Sequence, residues 1–251
     1  MKAKLIDKTG KAIKDIELPK NFSVKPRKDI IKKVVRIEEL SSRQIYGAKP
    51  GAGSQYSASG KLKHRRHKWK TTYGRGISRI PRKMFSVHGN SFNWEGATIP
   101  GTRGGRKAHA PRAERNLSRK VNKKELRKAF DSAFSITINK EWLKENNIEG
   151  IIFTSEIFKL NTKDLMKLIK KIFPEKAFNK KRRAGKGKRR GRQYKINKVL
   201  LITGSNEGRG IKMLDVKPVS ELFVGDIVPN GNNRFVAYTE NAIKEIGEKF
   251  R

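Results

Sequence analysis

Across 251 residues, 61 Lys or Arg stand against 23 Asp or Glu, a formal net charge of +38, and cysteine is absent. Self-repulsion of that size argues against a free-standing neutral globule and calls for a large polyanionic partner; the missing cysteines exclude disulfides, thiolate zinc sites and iron–sulfur clusters. An anionic membrane is the weaker polyanion, because no apolar run approaches the ~18 residues of a spanning helix and neither a lipidation motif nor a basic amphipathic helix is present. The first residues, Met1 to Asp7, carry no apolar signal segment, so a cytosolic protein is expected.

In chain order, residues 3–6 and 13–18 alternate in polarity around Thr9 and Gly10 and predict a short hairpin. Pro26 opens a helix to about Leu40, with Ile30, Ile31, Val34, Val35 and Ile37 available for an apolar face. Regular structure resumes at Asn122, where Asn122 and Glu125 have capping-box spacing and Leu126, Ala129, Phe130, Ala133 and Phe134 form an inward stripe. Residues 150–154 (GIIFT) and 199–203 (VLLIT) are short apolar strands of the buried parallel type, with a third over 213–216. Between the first two, Thr162 caps a helix carrying Leu165, Leu168, Ile169 and Ile172, stopped by Pro174. A last strand over 235–238 leads into a helix from Thr239 or Glu240, and Trp142 reads as core. Apolar strands alternating with amphipathic helices predict an α/β fold: a mainly parallel sheet with helices on its faces, formed by residues 1–42 and 114–251.

Residues 43–113 differ from the rest. They hold half of the chain's 22 glycines and all four histidines, while Glu95 is their only acid. Neither a sustained 3.6-residue period nor a clean alternation runs across them, so a long extended internal loop without a regular core is expected. About seventy residues without secondary structure inside a domain mark a functional or disordered segment. The aromatics Tyr46, Tyr56, Trp69, Tyr73, Phe85, Phe92 and Trp94 argue for function. Cations interleaved with flat rings and glycines suit a chain that orders against folded RNA. The contacts expected here are Arg43, Tyr46, Lys61, Lys63, Arg65, Arg66, Lys68, Trp69, Lys70, Arg75, Arg79, Arg82, Lys83, Trp94, Arg103, Arg106, Lys107, His109 and Arg112. Ordering such a loop costs about 1–2 kcal/mol per residue, so it is expected to take its shape only against RNA.

A second basic run lies within 176–198, where no acid occurs between Glu175 and Glu207. Lys181, Arg182, Arg183, Lys186, Lys188, Arg189, Arg190, Arg192 and Tyr194 are the expected RNA contacts of this segment, cations pairing with phosphates and glycines letting the backbone approach. Residues 185–191 (GKGKRRG) miss the phosphate-loop pattern because Gly187 follows Lys186, and they precede a strand where a dinucleotide site follows one. A solvated cationic loop is the plain alternative. Residues 203–208 follow a buried strand, the place where α/β folds seat ligands, yet a simple turn accounts for them. His64 and His67 are flanked by Arg65 and Arg66, which disfavours a metal dication, and Trp69, Tyr73 and Trp94 could instead form a small local cluster. No nucleophile elbow or paired acids suggest catalysis, and no cofactor is expected.

Several stretches together carry a resemblance: Arg43 to Gly47 (RQIYG), Gly74 to Arg82 (GRGxxRxPR), Pro100 to Pro111 (PGTRGGRKAHxP), Asn122 to Glu125 (NKKE) and Gly185 to Tyr194 (GKGKxRGRxY). In this order, over essentially the whole chain, they resemble the archaeal and eukaryotic branch of the large-subunit ribosomal protein L-four family, the archaeal version fitting better. Residues 86–92 and 139–149 carry none of the likeness. The resemblance implies a globular α/β domain on the solvent side of the large ribosomal subunit and a loop threaded into ribosomal RNA. The loop tip, near 70–83 with Arg75, Gly76 and Arg79 as its tunnel-side residues, would help line the nascent-polypeptide exit tunnel. The partners implied are large-subunit ribosomal RNA, neighbouring large-subunit proteins and the nascent polypeptide, in the cytoplasm. Two arms of about thirty-five residues span up to ~100 Å when extended, enough to enter a subunit. The alternatives are an extraribosomal RNA-binding regulator and an α/β enzyme acting on RNA or a nucleotide.

Overall fold

The computed structural model describes residues 1–58, 74, 76–148, 151–196, 198–205, 207 and 214–250. The chain divides into two compact units, Met1–Ser42 with Ser118–Arg251 and, separately, Arg43–Leu117. In chain order the strands and α-helices are β1 (Lys2–Ile6), β2 (Ala12–Glu17), α1 (Lys28–Ser42), β3 (Arg82–His88), β4 (Ser91–Gly96), α2 (Lys123–Thr137), α3 (Lys140–Glu145) and β5 (Ile152–Phe153). They continue with α4 (Thr162–Ile172), β6 (Lys180–Arg182), β7 (Tyr194–Ile196), β8 (Leu200–Thr203), β9 (Asp215–Pro218), α5 (Val224–Ile227), β10 (Val236–Thr239) and α6 (Glu240–Lys249).

The first unit is the expected α/β fold. Its six strands run in the order β2-β1-β5-β10-β8-β9, with β1 and β2 antiparallel and every other pairing parallel. The residues of β5, β8 and β10 are buried throughout, as apolar strands without alternation must be when both sheet faces are covered. Against them pack the apolar stripes of the helices: Ala129, Phe130, Ala133 and Phe134 of α2, Leu165, Leu168 and Ile169 of α4, and Ala242, Ile243 and Ile246 of α6. Phe22 joins the stripe to the sheet, its ring centroid 5.3 Å from Phe134 and 5.6 Å, edge-on, from Tyr238. Buried Tyr238 shares a 2.8 Å hydrogen bond with Thr137 at the end of α2. Trp142 is partly buried against this core, 5.1 Å from Phe235.

The elements lie within a residue or two of their predicted bounds. Asn122 caps α2 by accepting from the Lys124 N–H at 3.1 Å. α4 begins at Thr162 with Asn161, not Thr162, as its N-cap, and the strand expected over 213–216 runs instead from Asp215 to Pro218, residue 213 lying outside the described residues.

The second unit contains regular structure that the sequence pattern hides. β3 and β4 pair as an antiparallel hairpin, with Met84 opposite Trp94 and Val87 opposite Phe92, and a register shift falls between Met84 and Ser86. That bulge spoils the two-residue alternation by which the strand would have been read. Elsewhere in the unit, backbone meets backbone. The Ala48 N–H donates to the Pro111 carbonyl at 3.0 Å. Gly53, at φ +77°, lies so close to 105–106 that an added Cβ would sit 2.4 Å from the Gly105 carbonyl carbon.

Candidate RNA-binding surfaces

Two surfaces gather the expected RNA contacts, one in each unit. In the first unit, β6 and β7 form a cationic antiparallel hairpin with Lys181 opposite Lys195 and Arg182 opposite Tyr194. Between the strands a 3-10 turn, Gly185–Arg190, ends at Gly191 in the left-handed conformation, φ +73°, and the Arg192 N–H closes it by donating to the Gly187 carbonyl at 3.2 Å. Glycine is the residue that takes this φ without strain, which lets the turn close while its long side chains stay outside. Lys181, Arg182, Arg183, Lys186, Lys188, Arg189, Arg190, Arg192 and Tyr194 are all exposed. Among the described residues, none of these cations has a salt bridge. Lys180, absent from the sequence-based contacts, lies diagonally across the ladder with its Nζ 4.0 Å from the Tyr194 ring centroid. The Lys–aromatic pair becomes visible only when 180 and 194 are placed on paired strands.

In the second unit Arg43, Arg79, Arg103, Arg106, Lys107, His109 and Arg112 are exposed, and so is Tyr46, with the Arg43 guanidinium 5.5 Å from its ring. Three further expected contacts are engaged within the unit. Arg82 donates to the Ser78 carbonyl at 3.0 Å and to its hydroxyl at 2.7 Å. Lys83 pairs with Glu95 at 3.7 Å and lies 3.8 Å over the Tyr56 ring. Trp94 is half-buried beside Phe92, its indole nitrogen enclosed and without a hydrogen-bond partner among the described residues. The other two members of the expected local cluster, Trp69 and Tyr73, lie outside the described residues. Among the described residues of this unit the exposed rings are Tyr46, Tyr56 and Phe85, the last 74% accessible. Lys61, Lys63, Arg65, Arg66, Lys68, Trp69, Lys70 and Arg75 lie outside the described residues, as do His64, His67 and Tyr73. Of the three expected tunnel-side residues, Gly76 and Arg79 are described.

Comparison with known proteins decides the family. The model of the ribosomal protein L4/L1 family matches residues 16–249. The chain belongs to the ribosomal protein L4/L1 family. It is of the archaeal type: it is 34% identical to the large ribosomal subunit protein uL4 of Nanoarchaeum equitans, over 99% of this chain and 98% of that one. It is 33% identical to that of Archaeoglobus fulgidus over 99% of each chain, and 34% identical to that of Methanospirillum hungatei over 98% of this chain and 99% of that one. Membership in this family of ribosomal proteins sets aside the enzyme alternative: the chain is not an enzyme but a large-subunit ribosomal protein. No helix among the described residues is long and apolar enough to cross a membrane.

Proposed function

We propose that the chain is a structural constituent of the large ribosomal subunit that holds ribosomal RNA through two cationic elements, residues 43–113 and the hairpin within 176–198, and so supports subunit assembly in the cytoplasm. The observation that carries this reading is the hairpin: a dense group of Lys and Arg held outward by a glycine-closed turn, with no carboxylate paired to any of them among the described residues. Such an arrangement is repulsive in water and becomes favourable when phosphates replace the missing counter-charges and release their own cations. The exposed cations and rings of the second unit, with glycines where backbones nearly touch, suit crowded single strands and RNA grooves in the same way. At the tip of that segment, Arg75, Gly76 and Arg79 would face the nascent polypeptide in the exit tunnel, while the first unit meets neighbouring subunit proteins.

Co-sedimentation tests the reading. The tagged full-length chain should travel with large subunits through a gradient at moderate salt. A variant lacking residues 61–84 should still enter subunits through the remaining contacts while disturbing assembly or the tunnel. A chain that stays at the top of the gradient would refute the assignment.

A further inference from the structure

On the first unit, the C-terminal half of α1 and the segment around α5 enclose a recess of about 610 Å3 whose lining includes Val35, Ile37, Glu38, Glu39, Phe223 and Asp226. Its chemistry is the inverse of the chain's. Among the described residues three carboxylates line it and no Lys or Arg does, in a protein with 61 Lys and Arg against 23 acids. Glu38 forms part of the floor, accepting from the Val224 and Gly225 N–H groups at 3.1 and 2.8 Å. Gly225 keeps that floor open, since an added Cβ would stand 3.0 Å from the Glu38 carboxylate. Burial pushes the Glu38 carboxyl above its usual range. Lys217 adjoins the rim, 5.9 Å from the Phe223 ring, and is already bridged to Asp226 at 2.7 Å. Glu38 and Glu39 have no salt-bridge partner among the described residues. Beside these acids Phe223 leaves 58% of its surface exposed, although it is large and apolar.

We propose that this recess docks a cationic segment of another protein, one in which Lys or Arg alternates with an apolar side chain. A phosphate backbone entering here would meet like charge, whereas a basic peptide would set its ammonium or guanidinium groups against Glu39 and Glu38. Its apolar residue would cover Phe223 and Val35, and the alkyl stems of its cations would add apolar contact. The volume is within the range that takes a few side chains. The recess thus divides the molecule's recognition by charge: nucleic acid on the cationic surfaces, basic protein on the acidic one. The inference rests on the ribosomal reading for the presence of basic neighbouring proteins, but its test needs no ribosome.

The full-length 15N-labelled chain is titrated with a synthetic nonapeptide of alternating lysine and leucine, following the Val224 and Gly225 amides. Those amides should shift saturably, and Glu39→Lys and Phe223→Ala should each weaken the apparent affinity about tenfold. Both side chains are exposed, so the signals of the buried strands should stay in place. Silent amides would overturn the proposal. So would an equal response to a glutamate–leucine peptide, movement of the same amides by a uridine oligonucleotide, or shifts that grow with protein concentration alone, which would mean a second copy. Loss of co-sedimentation with subunits would refute the ribosomal reading and leave these amide responses unchanged.

Discussion

Two buried polar groups show how single residues tie the helices of the first unit to its sheet. The Tyr238 hydroxyl, fully buried on β10, is held by the Thr137 hydroxyl at 2.8 Å, and burial keeps its phenol protonated far above the ordinary range. Thr137 also donates to the Phe134 carbonyl at 2.7 Å, so it keeps a partner if the phenol is removed. Tyr238→Phe should therefore cost only about 1 kcal/mol in urea unfolding. Phe134→Ala, which empties the ring cluster beside it, should cost about 3–5 kcal/mol in the same assay. Asp131 on α2 behaves differently. One of its carboxylate oxygens is sealed from solvent without a hydrogen-bond partner among the described residues, and burial raises its pKa, opposed by Arg127 and the Asn21 amide. The folded protein holds that proton to higher pH than the unfolded chain does, so the residue's contribution to stability improves as pH falls from its raised folded value towards the ordinary carboxyl value. Asp131→Asn should unfold at higher temperature than the parent near neutral pH, and the gap should close as pH falls through that window.

At the scale of elements, what the sequence announced and what it hid follow from the same physics. β5, β8 and β10 were legible because a strand covered on both faces is an unbroken apolar run, and α2, α4 and α6 because one apolar stripe repeats along each. β3 and β4 were not, since the bulge next to Phe85 shifts the alternation midway. β6 and β7 were hidden for a different reason: Lys and Arg say nothing about strand, and the tie is the backbone ladder from Lys180 to Ile196. Of the expected RNA contacts, the exposed cations could be named from composition. That Lys83 is engaged within the unit could not, because strand pairing sets Glu95 opposite it and the fold of the unit brings up Tyr56, which lies on no strand. The β6–β7 hairpin gives the element-scale prediction. Replacing Lys181, Arg182 and Arg183 together by Ala should leave thermal unfolding nearly unchanged, since all three are exposed. In filter binding to large-subunit RNA it should flatten the dependence of log affinity on log salt by roughly two to three.

For the whole molecule, a net charge of +38 sets the terms of association. With about ten phosphate contacts, the intact chain should lose RNA affinity with a slope of roughly −7 to −9 in log salt; a slope near zero would refute an electrostatic hold. The order of strands, unlike their existence, was not written in any local pattern: β10, the last in sequence, lies between β5 and β8 at the middle of the sheet. Parallel pairing of this kind joins residues far apart along the chain and closes late. While this protein is itself being made, β5 and β8 must therefore wait with the slot between them vacant until the last strand and α6 have been synthesised. A prematurely terminated copy would lack more than its tail: it would present two bare apolar strand edges to whatever it meets. Arrival of β10 is thus the step that closes the sheet.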